Sequence, residues 1–552
     1  MKYKGHIVDI VRREIFDGEV TVTDGRITRI VPCCLPEDGE SWPYLLPGFI
    51  DSHVHIESSM MMPEEFARLA AENGTIGAIA DPHEIANVLG IEGVDVMIQS
   101  GKKAQFNFLF GAPSCVPALG GEVETNGAVI DSQVISALLQ REDIGFLGEI
   151  MNYKGVLQGD SEEMAKIAAA REAGKPIDGH APGITPSERQ RYAAAGVLTD
   201  HECADFEEGR YCIQSGMKVI IREGSAAKDY ANLHPLIDEY PNQVMFCTDD
   251  CHADDLLRGH INSFVKRALR DGHNLWNILQ AACYNPQRHY GVNWGLLQEG
   301  DPATFIMVNN LGPQMRVQKT IIRGIEVYNN LLSENINTRK ESISDINSYP
   351  NHFYATPINL EDIRLDILRG DTKHIIHATD GNLYTGHDVV EVTDIPLDNA
   401  QYPWNEVQKV VVYNRYDASA HPFVGLVRGF DIRRGAIASS VAHDCHNIVA
   451  VGSSDELIVR AINRVIEMRG GQVAIADEEM IDMALPIAGL MSPIDGHEVA
   501  RRCQLLNEIA AKTGCQMKAP FITMAFLCLP VIPELKITDK CLWDSRNMKA
   551  VE

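Results

Sequence analysis

Between about residues 42 and 250 the chain repeats one pattern, in which a short apolar, β-branched run ends in a polar cluster and a helical stretch follows. Eight such runs, with polar ends 21 to 35 residues apart, predict eight strands that alternate with helices. Fully apolar strands in this arrangement favour a parallel sheet covered by helices, and eight units are what a (β/α)8 barrel requires. The polar ends fall near His55, His83, Ser114, Glu149, His180, His201, Glu223 and Asp249.

The segments on both sides of this region predict a second, smaller domain. HIVDIV and EVTVTDGRITRIV read as short strands with a turn at Asp24-Gly25. After the eight units, PATFIMVNN and QKTIIRGIEVYNN show the same pattern of short strands. We therefore predict a small β-sandwich domain formed by residues 1–46 and 296–340, which encloses a barrel of residues 47–295 in the sequence.

The remainder of the chain predicts an appended domain of mixed α+β character. Residues 333–360 are polar and rich in turn formers, as in a linker, and the appended domain is expected over residues 361–552. Its most regular helix is predicted in SSDELIVRAINRVIEMRGG, with Ser453 or Ser454 as the N-cap and Gly470-Gly471 at the end. The predicted fold class is thus α/β, a TIM-like barrel with two attached domains.

Composition narrows the classes of function. A length of 552 residues indicates more than one domain, and a formal charge of −27 argues against nucleic acid as a partner. The longest apolar run, FITMAFLCLPVI (521–532), is too short for a membrane helix and contains Pro530. The 13 cysteines form no C-x-x-C pair, which favours reduced thiols in a cytoplasmic protein. A homo-oligomer is expected, because most soluble oligomers are homo-oligomers.

Six residues at the predicted strand ends suit metal ions. His53 and His55 alternate along one strand, so both imidazoles point to the same face. An H-x-H pair alone is weak evidence, but the carboxyl ends of barrel strands converge around one axis. The histidines and carboxylates that converge there suit two divalent ions, manganese in particular, with iron or zinc as alternatives. The six candidate ligands are His53, His55, Glu149, His180, His201 and Asp249, with Glu149 as the central, bridging candidate.

Longer motifs resemble a known family. PGFIDSHVHIESSM (47–60) resembles the first-strand signature of the amidohydrolase superfamily, and more closely the adenine deaminase branch. The resemblance continues in ADPHEIANV (80–88), GEIMN (148–152), DGHAPG (178–183), TDHE (199–202) and CTDD (247–250), and reaches RGAIASSVAHDCHNIVAVG (434–452) and LPIAGLMS (485–492). It covers nearly the whole chain. It implies the same six ligands, with Glu149 in the place where many superfamily members have a carboxylated lysine.

The resemblance also implies an activity: hydrolytic deamination of adenine to hypoxanthine and ammonia by a metal-activated hydroxide, in purine salvage. Asp249 would bind metal and accept the proton of the attacking water, and Glu202 would act as the general acid. Ser114, Arg222 and Glu223 are the predicted substrate contacts. Each of these three is equally compatible with a structural salt bridge or a cap, and His83, Glu84 and Glu57 are further candidates with the same ambiguity.

Other interpretations remain open from the sequence. AHDCHN (442–447), with His443 and His446, is compatible with a further metal site, a loop over the barrel mouth, or a set of caps and turns. A two-metal barrel also suits hydrolysis of a cyclic amide or imide. A barrel without enzymatic activity is disfavoured because all six candidate ligands are present. A single-zinc deaminase site is unsupported, because it needs a P-C-x-x-C motif and this sequence contains no C-x-x-C pair.

Overall fold

The computed structural model describes residues 1–35, 42–330, 346–367, 370–392 and 407–551. The strands are numbered along the chain. The first twelve are β1 (Lys2–Asp9), β2 (Glu14–Thr23), β3 (Arg26–Pro32), β4 (Tyr44–Leu46), β5 (Phe49–Val54), β6 (Thr75–Ala80), β7 (Asn107–Ala112), β8 (Ile144–Ile150), β9 (Ile177–Gly179), β10 (Thr199–Asp200), β11 (Lys218–Arg222) and β12 (Val244–Cys247). The next three are β13 (Phe305–Val308), β14 (Val317–Ile322) and β15 (Ile325–Asn329).

Fourteen α-helices of the described residues lie between β5 and β13. They are α1 (Pro63–Glu72), α2 (His83–Leu89), α3 (Ile91–Lys103), α4 (Ser132–Leu139), α5 (Tyr153–Gln158), α6 (Ser161–Glu172), α7 (Pro186–Ala195), α8 (Phe206–Gln214), α9 (Tyr230–Leu233), α10 (Leu236–Glu239), α11 (Ala253–Arg258), α12 (Ile261–Asp271), α13 (Leu275–Leu279) and α14 (Asn285–Tyr290).

Each of the eight predicted apolar runs contains one of the strands β5 to β12. All eight are parallel, in one sheet of order β5-β6-β7-β8-β9 and a second of order β10-β11-β12. The two sheets meet where the Leu198 N–H donates to the Ile177 carbonyl, and β12 returns to β5 through a parallel bridge between Val54 and Asp249. The carboxyl ends of the eight strands therefore share one side of the molecule.

Strands from both flanks form one mixed sheet of order β15-β14-β13-β4-β1-β2-β3. The predicted turn joins β2 to β3: Asp24 and Gly25 have φ of 48° and 73°, the left-handed values that a tight two-residue hairpin requires. In the predicted domain, residues 331–340 lie outside the described part of the chain, as do residues 333–345 of the predicted linker.

The C-terminal region contains eleven further described strands and three α-helices. They are β16 (Thr372–His377), β17 (Gly386–Glu391), β18 (Val407–Tyr413), β19 (Phe423–Arg428), β20 (Gly435–Ser439), β21 (Ile448–Gly452), α15 (Asp455–Glu467), β22 (Gly471–Ala476), β23 (Glu479–Ala484), α16 (Gly496–Lys512), α17 (Pro520–Ala525), β24 (Leu535–Ile537), β25 (Leu542–Asp544) and β26 (Lys549–Ala550).

An eight-stranded, mostly antiparallel sheet is the centre of this region, in the order β17-β16-β19-β18-β21-β20-β22-β23. The predicted helix is α15, and the Ser454 side chain caps it by accepting from the Leu457 N–H. The apolar run 521–532 is buried and includes most of α17. None of the helices in the described ranges has both the length and the apolar character that crossing a bilayer demands. All 13 cysteines are free, and all but Cys33 and Cys34 are buried.

Candidate metal centre

All six predicted ligands are buried and lie together at the carboxyl ends of β5, β8, β9, β10 and β12. Overlapping groups of three have ligand atoms within 4.8 Å of one another, close enough to share an ion. The six are far apart in sequence, so their meeting depends on the shared side of the parallel strands. The convergence expected from the strand-end pattern is therefore present in the structure.

Glu149 is the centre of this group. Its Oε1 lies 3.1 Å from Nε2 of His55 and 3.7 Å from Nε2 of His53. Its Oε2 lies 2.8 Å from Nδ1 of His180 and 3.3 Å from Nε2 of His201. One carboxylate thus presents each of its oxygens to a different pair of histidines, which is the arrangement expected of a ligand shared by two ions.

Asp249 closes the site at the end of β12. Its Oδ1 lies 3.0 Å from Nε2 of His55 and 3.8 Å from Nε2 of His53, and its Oδ2 accepts from Nη1 of Arg222 at 2.9 Å. Its backbone has a φ of 57°, which is rare for a residue with a side chain. Two hydrogen bonds hold this conformation: the Asp249 N–H donates to the His53 carbonyl, and the His55 N–H donates to the Asp249 carbonyl.

Asp81, just after β6, orients two of the ligands. Its carbonyl accepts from Nδ1 of His55 at 3.0 Å, and this leaves Nε2 to face the carboxylates and to bind a metal ion. Its Oδ2 accepts from the Glu149 N–H at 2.9 Å. Gly148 makes this contact possible, because a Cβ there would lie 2.3 Å from the same oxygen. The glycine before the bridging carboxylate is thus a steric requirement.

The donor atoms fit metal ions better than they fit one another. Both ring nitrogens of His180 and Oε2 of Glu149 are buried without a hydrogen bond among the described residues, although Nδ1 and Oε2 are only 2.8 Å apart. Close but misaligned donors and acceptors are expected where side chains point at a common position. Uncompensated buried polar atoms are costly, and a divalent ion would satisfy them.

The electrostatics of the site keep Glu149 and Asp249 ionised. Burial raises the pKa of Glu149, but the neighbouring His180 and His201 outweigh burial and hold it well below its usual range. Burial lowers the pKa of His201, yet Glu149 and Asp249 raise it to about 9. Because metal ligands bind in their deprotonated forms, loading the site with cations would release protons from these histidines.

Glu202 and Arg222 form an ion pair beside the ligands. Both carboxylate oxygens of Glu202 accept from Arg222, whose remaining contacts are with Asp249 and, at 3.0 Å, with Oδ2 of Asp229. Oε1 of Glu202 lies 3.6 Å from Nδ1 of His180 and from Nε2 of His201. Glu202 lines the cavity above the ligands, whereas Arg222 is not among the described residues that line it.

The other two predicted substrate contacts also have partners elsewhere. The Ser114 hydroxyl donates to the Glu149 carbonyl, and the Ser114 carbonyl accepts from Nζ of Lys166. Glu223 lies 3.2 Å from Nη1 of Arg267 and lines a separate cavity. Neither residue is among the described residues that line the metal cavity. Substrate contact by Ser114, Arg222 and Glu223 thus has no geometric support here and stays a prediction.

The 442–447 segment, here called the roof loop, reaches the cavity. His443 and His446 donate to Oε1 and Oε2 of Glu84 at 2.5 Å each, and Asp444 faces His83 at 4.0 Å. Glu57, a further candidate, accepts from the Ile85 N–H and does not line the cavity in the described structure. Of the three interpretations left open for the roof loop, its position is that of a loop over the mouth.

Several lining residues were not among the predicted site residues, although Asp250 and Asp444 lie in the CTDD and AHDCHN motifs. Asp250 and Asp444 contribute carboxylates, and an apolar side is formed by Leu383, Phe526, Leu529 and Ile532. The strand pattern identifies residues at strand ends, and most of these side chains come from loops or from the C-terminal region. The apolar run 521–532, notable only for its hydrophobicity, supplies three of them.

Comparisons with known proteins identify the family of this chain. Residues 44–327 match the model of the amidohydrolase family, and residues 383–549 match the adenine deaminase C-terminal domain. Proteins named adenine deaminase are 46% identical in Salinibacter ruber over 99% of this chain and 98% of the relative, and 43% identical in Methanosarcina mazei over 100% and 99%. A third, from Sulfurovum sp., is 45% identical over 100% and 99%. This chain belongs to the adenine deaminase family.

The two matched segments divide the site between them. The six candidate ligands lie within the amidohydrolase match. The roof loop with Asp444, and also Phe526, lie within the match to the adenine deaminase C-terminal domain. The cavity is therefore lined by the part shared with amidohydrolases in general and by the part specific to adenine deaminases.

Proposed function

We propose that this protein hydrolyses adenine to hypoxanthine and ammonia. The observation that carries the proposal is the buried group of four histidines and two carboxylates around Glu149, in a chain similar over its full length to proteins named adenine deaminase. We interpret the eight parallel strands as a (β/α)8 barrel, with the flanking sheet and the C-terminal region as separate domains. The expectations of a homo-oligomer and a cytoplasmic location stay predictions.

Two divalent ions fit the donor set, and we propose manganese. His53, His55 and Asp249 would hold one ion and His180 and His201 the other, with Glu149 shared between them. When bound, such ions lower the pKa of a water molecule enough to supply a nucleophile near neutral pH.

Asp249 and Glu202 are the proposed proton carriers. The water oxygen adds to carbon 6 and the carbon–nitrogen bond breaks; one water proton ends on the ring nitrogen and the other on ammonia. Oδ1 of Asp249 faces His53 and His55 and Oδ2 accepts from Arg222, and the Asp249 carboxylate would accept the proton of the attacking water. Glu202 would deliver a proton to the ring. Glu202 would take up this proton within the cavity before it delivers it to the ring.

The activity is tested by following ammonia and hypoxanthine from adenine with manganese-loaded protein, and by counting metal in the same sample. About two ions per chain, turnover of adenine, and loss of turnover on chelation with recovery on adding manganese are expected. Two bound ions with ring opening of a cyclic amide in place of adenine turnover would overturn the proposed substrate.

The role of Glu202 is tested by Glu202→Gln, which keeps the shape of the side chain but cannot carry a proton. We expect turnover to fall by about 100-fold or more while the metal content is unchanged. Glu207→Gln, an exposed change nearby on α8, is the control. Turnover near that of the wild type in Glu202→Gln would contradict the assignment.

A further inference from the structure

The C-terminal region places in the metal cavity one carboxylate, that of Asp444, with an oxygen that has no hydrogen bond among the described residues. The Asp444 side chain is 3% exposed, and its Oδ2 has no hydrogen-bond partner among the described residues. Its nearest basic neighbours are Nε2 of His83, 4.0 Å from Oδ2, and Nδ1 of His443, 3.8 Å from Oδ1. A buried carboxylate oxygen without a donor is costly, so a ligand donor at this position is the simplest way to satisfy it.

The roof loop is built to hold this carboxylate in place. Glu84 binds both of its histidines, the Tyr416 hydroxyl donates to the Cys445 carbonyl at 2.6 Å, and Nδ2 of Asn447 donates to the Thr125 carbonyl at 2.9 Å. Within the loop, Nδ1 of His446 accepts from the Ala442 N–H. Contacts to Glu84 and Thr125 attach the loop to the part of the chain that carries the metal ligands. Such support is typical of a group that must be positioned precisely.

The remaining walls suit a flat, largely apolar ring. His443 stacks on Phe526, with ring centroids 4.5 Å apart and planes at 10°, and Leu383, Leu529 and Ile532 complete the apolar side. The space between these walls is small, so a free base suits it better than a base that carries a sugar.

The spacing relates Asp444 to the metal centre. Nδ1 of His83 lies 3.6 Å from Oε1 of Glu149, and Nε2 on the other side of the same ring lies 4.0 Å from Oδ2 of Asp444. One imidazole ring and two contacts therefore separate the carboxylate from the centre. Asp444 and the metal centre thus lie on either side of the His83 ring and line the same cavity.

We propose that Oδ2 of Asp444 accepts the N–H of the five-membered ring of free adenine, so that the C-terminal region selects the free base over purines substituted at that nitrogen. This inference rests on the proposed function. A nucleoside has a bond to its sugar in place of this N–H, so it would leave the buried carboxylate without a donor and would also need more room. Asp444 is thus a substrate-binding residue supplied from outside the segment that holds the metal ligands.

The test compares wild type, Asp444→Ala and Asp444→Asn in manganese-loaded full-length protein. A hydrogen bond to a buried carboxyl group is strong enough that we expect Asp444→Ala to raise KM for adenine by about 10- to 100-fold, with a smaller change in kcat. Asp444→Asn, which preserves packing, should have a smaller effect in the same direction. Wild type should bind adenine far more tightly than 9-methyladenine, measured by competition, and Asp444→Ala should lose most of that preference.

Asp539→Asn is the matched control. This carboxylate also joins the two parts of the chain, accepting from the Thr125 N–H and from Asn414, but it does not line the cavity in the described structure. Its KM and ligand preference should match those of wild type. An unchanged KM and preference in both Asp444 variants would overturn the inference alone, as would loss of a metal ion, which would make Asp444 a ligand. Absence of adenine turnover in the wild type would overturn the proposed function, and this inference with it.

Discussion

Replacing Glu84 by glutamine tests how strongly the roof loop is held over the cavity. Glu84 is fully buried, and its two oxygens accept from Nδ1 of His443 and Nε2 of His446. Glutamine has nearly the same shape but only one acceptor oxygen. Its amide nitrogen would face one of the two imidazole N–H groups, so one hydrogen bond and the charge attraction to His443 would both be lost.

The free-energy cost of Glu84→Gln follows from the electrostatics of the pair formed by Glu84 and His443. Burial opposes protonation of His443, yet Glu84 and Asp250 raise its pKa from 6.5 to about 9. At about 1.4 kcal/mol for each tenfold change, the shift corresponds to roughly 3 kcal/mol, of which Glu84 contributes the largest part. Loss of one partner of a buried pair typically costs about 3–5 kcal/mol, which agrees. If the roof loop opens locally, a loss of 3 kcal/mol lowers the protection of its backbone amides against hydrogen exchange by about 100-fold.

Hydrogen–deuterium exchange of peptides that cover the roof loop measures this directly. In the wild type the His446 N–H donates to the Ala442 carbonyl and the Ala442 N–H to Nδ1 of His446, so both amides should be protected. In Glu84→Gln they should exchange about 100-fold faster, with peptides from β5 and β8 unchanged. Glu92→Gln replaces an exposed acid in the first turn of the next helix and is the control. Equal protection in Glu84→Gln and wild type would refute the reasoning.

Two further predictions concern the same surroundings. Gly148→Ala should displace Asp81 from the Glu149 N–H and weaken metal binding by about 10- to 100-fold in a titration against a chelating dye. Gly120→Ala, where a Cβ meets nothing within 4 Å, should bind metal as the wild type does, and normal affinity in both variants would contradict this account. Because the folded-state pKa of His443 is raised, its contribution to stability is complete below about pH 6.5 and is lost as the pH rises through about 9. Roof-loop protection, corrected for intrinsic exchange, should therefore fall between pH 8 and 10 in the wild type and stay flat over this range in Glu84→Gln.

Local features of the fold were predictable because their causes are local. The apolar period of the strands, the Asp24-Gly25 hairpin and the Ser454 cap all depend on residues within a few positions of one another. The prediction narrowed the cap of α15 only to Ser453 or Ser454. Ser453 instead bonds to Gly435 of a neighbouring strand, and the sequence gives no sign of that partner.

The six candidate metal ligands were identifiable from the sequence for a related reason. In alternating strands and helices each strand ends on the same side, so a polar residue after an apolar run has a known location in the fold. His180 and Glu149 could thus be grouped without knowledge of any contact between them. That reasoning predicts that a side chain lies at the carboxyl ends of the strands. It cannot predict the direction in which the side chain points.

Side-chain partners were decided only by the tertiary structure. Ser114, Arg222 and Glu223 lie at strand ends as the ligands do, yet packing pairs them with a carbonyl, with carboxylates and with Arg267. The roof loop shows this more strongly, because His443 bonds to Glu84, which is 359 residues away in the sequence. Sequence periodicity reports how each element faces the core. It does not report which surfaces of distant elements meet, because that depends on the combined packing of the whole chain.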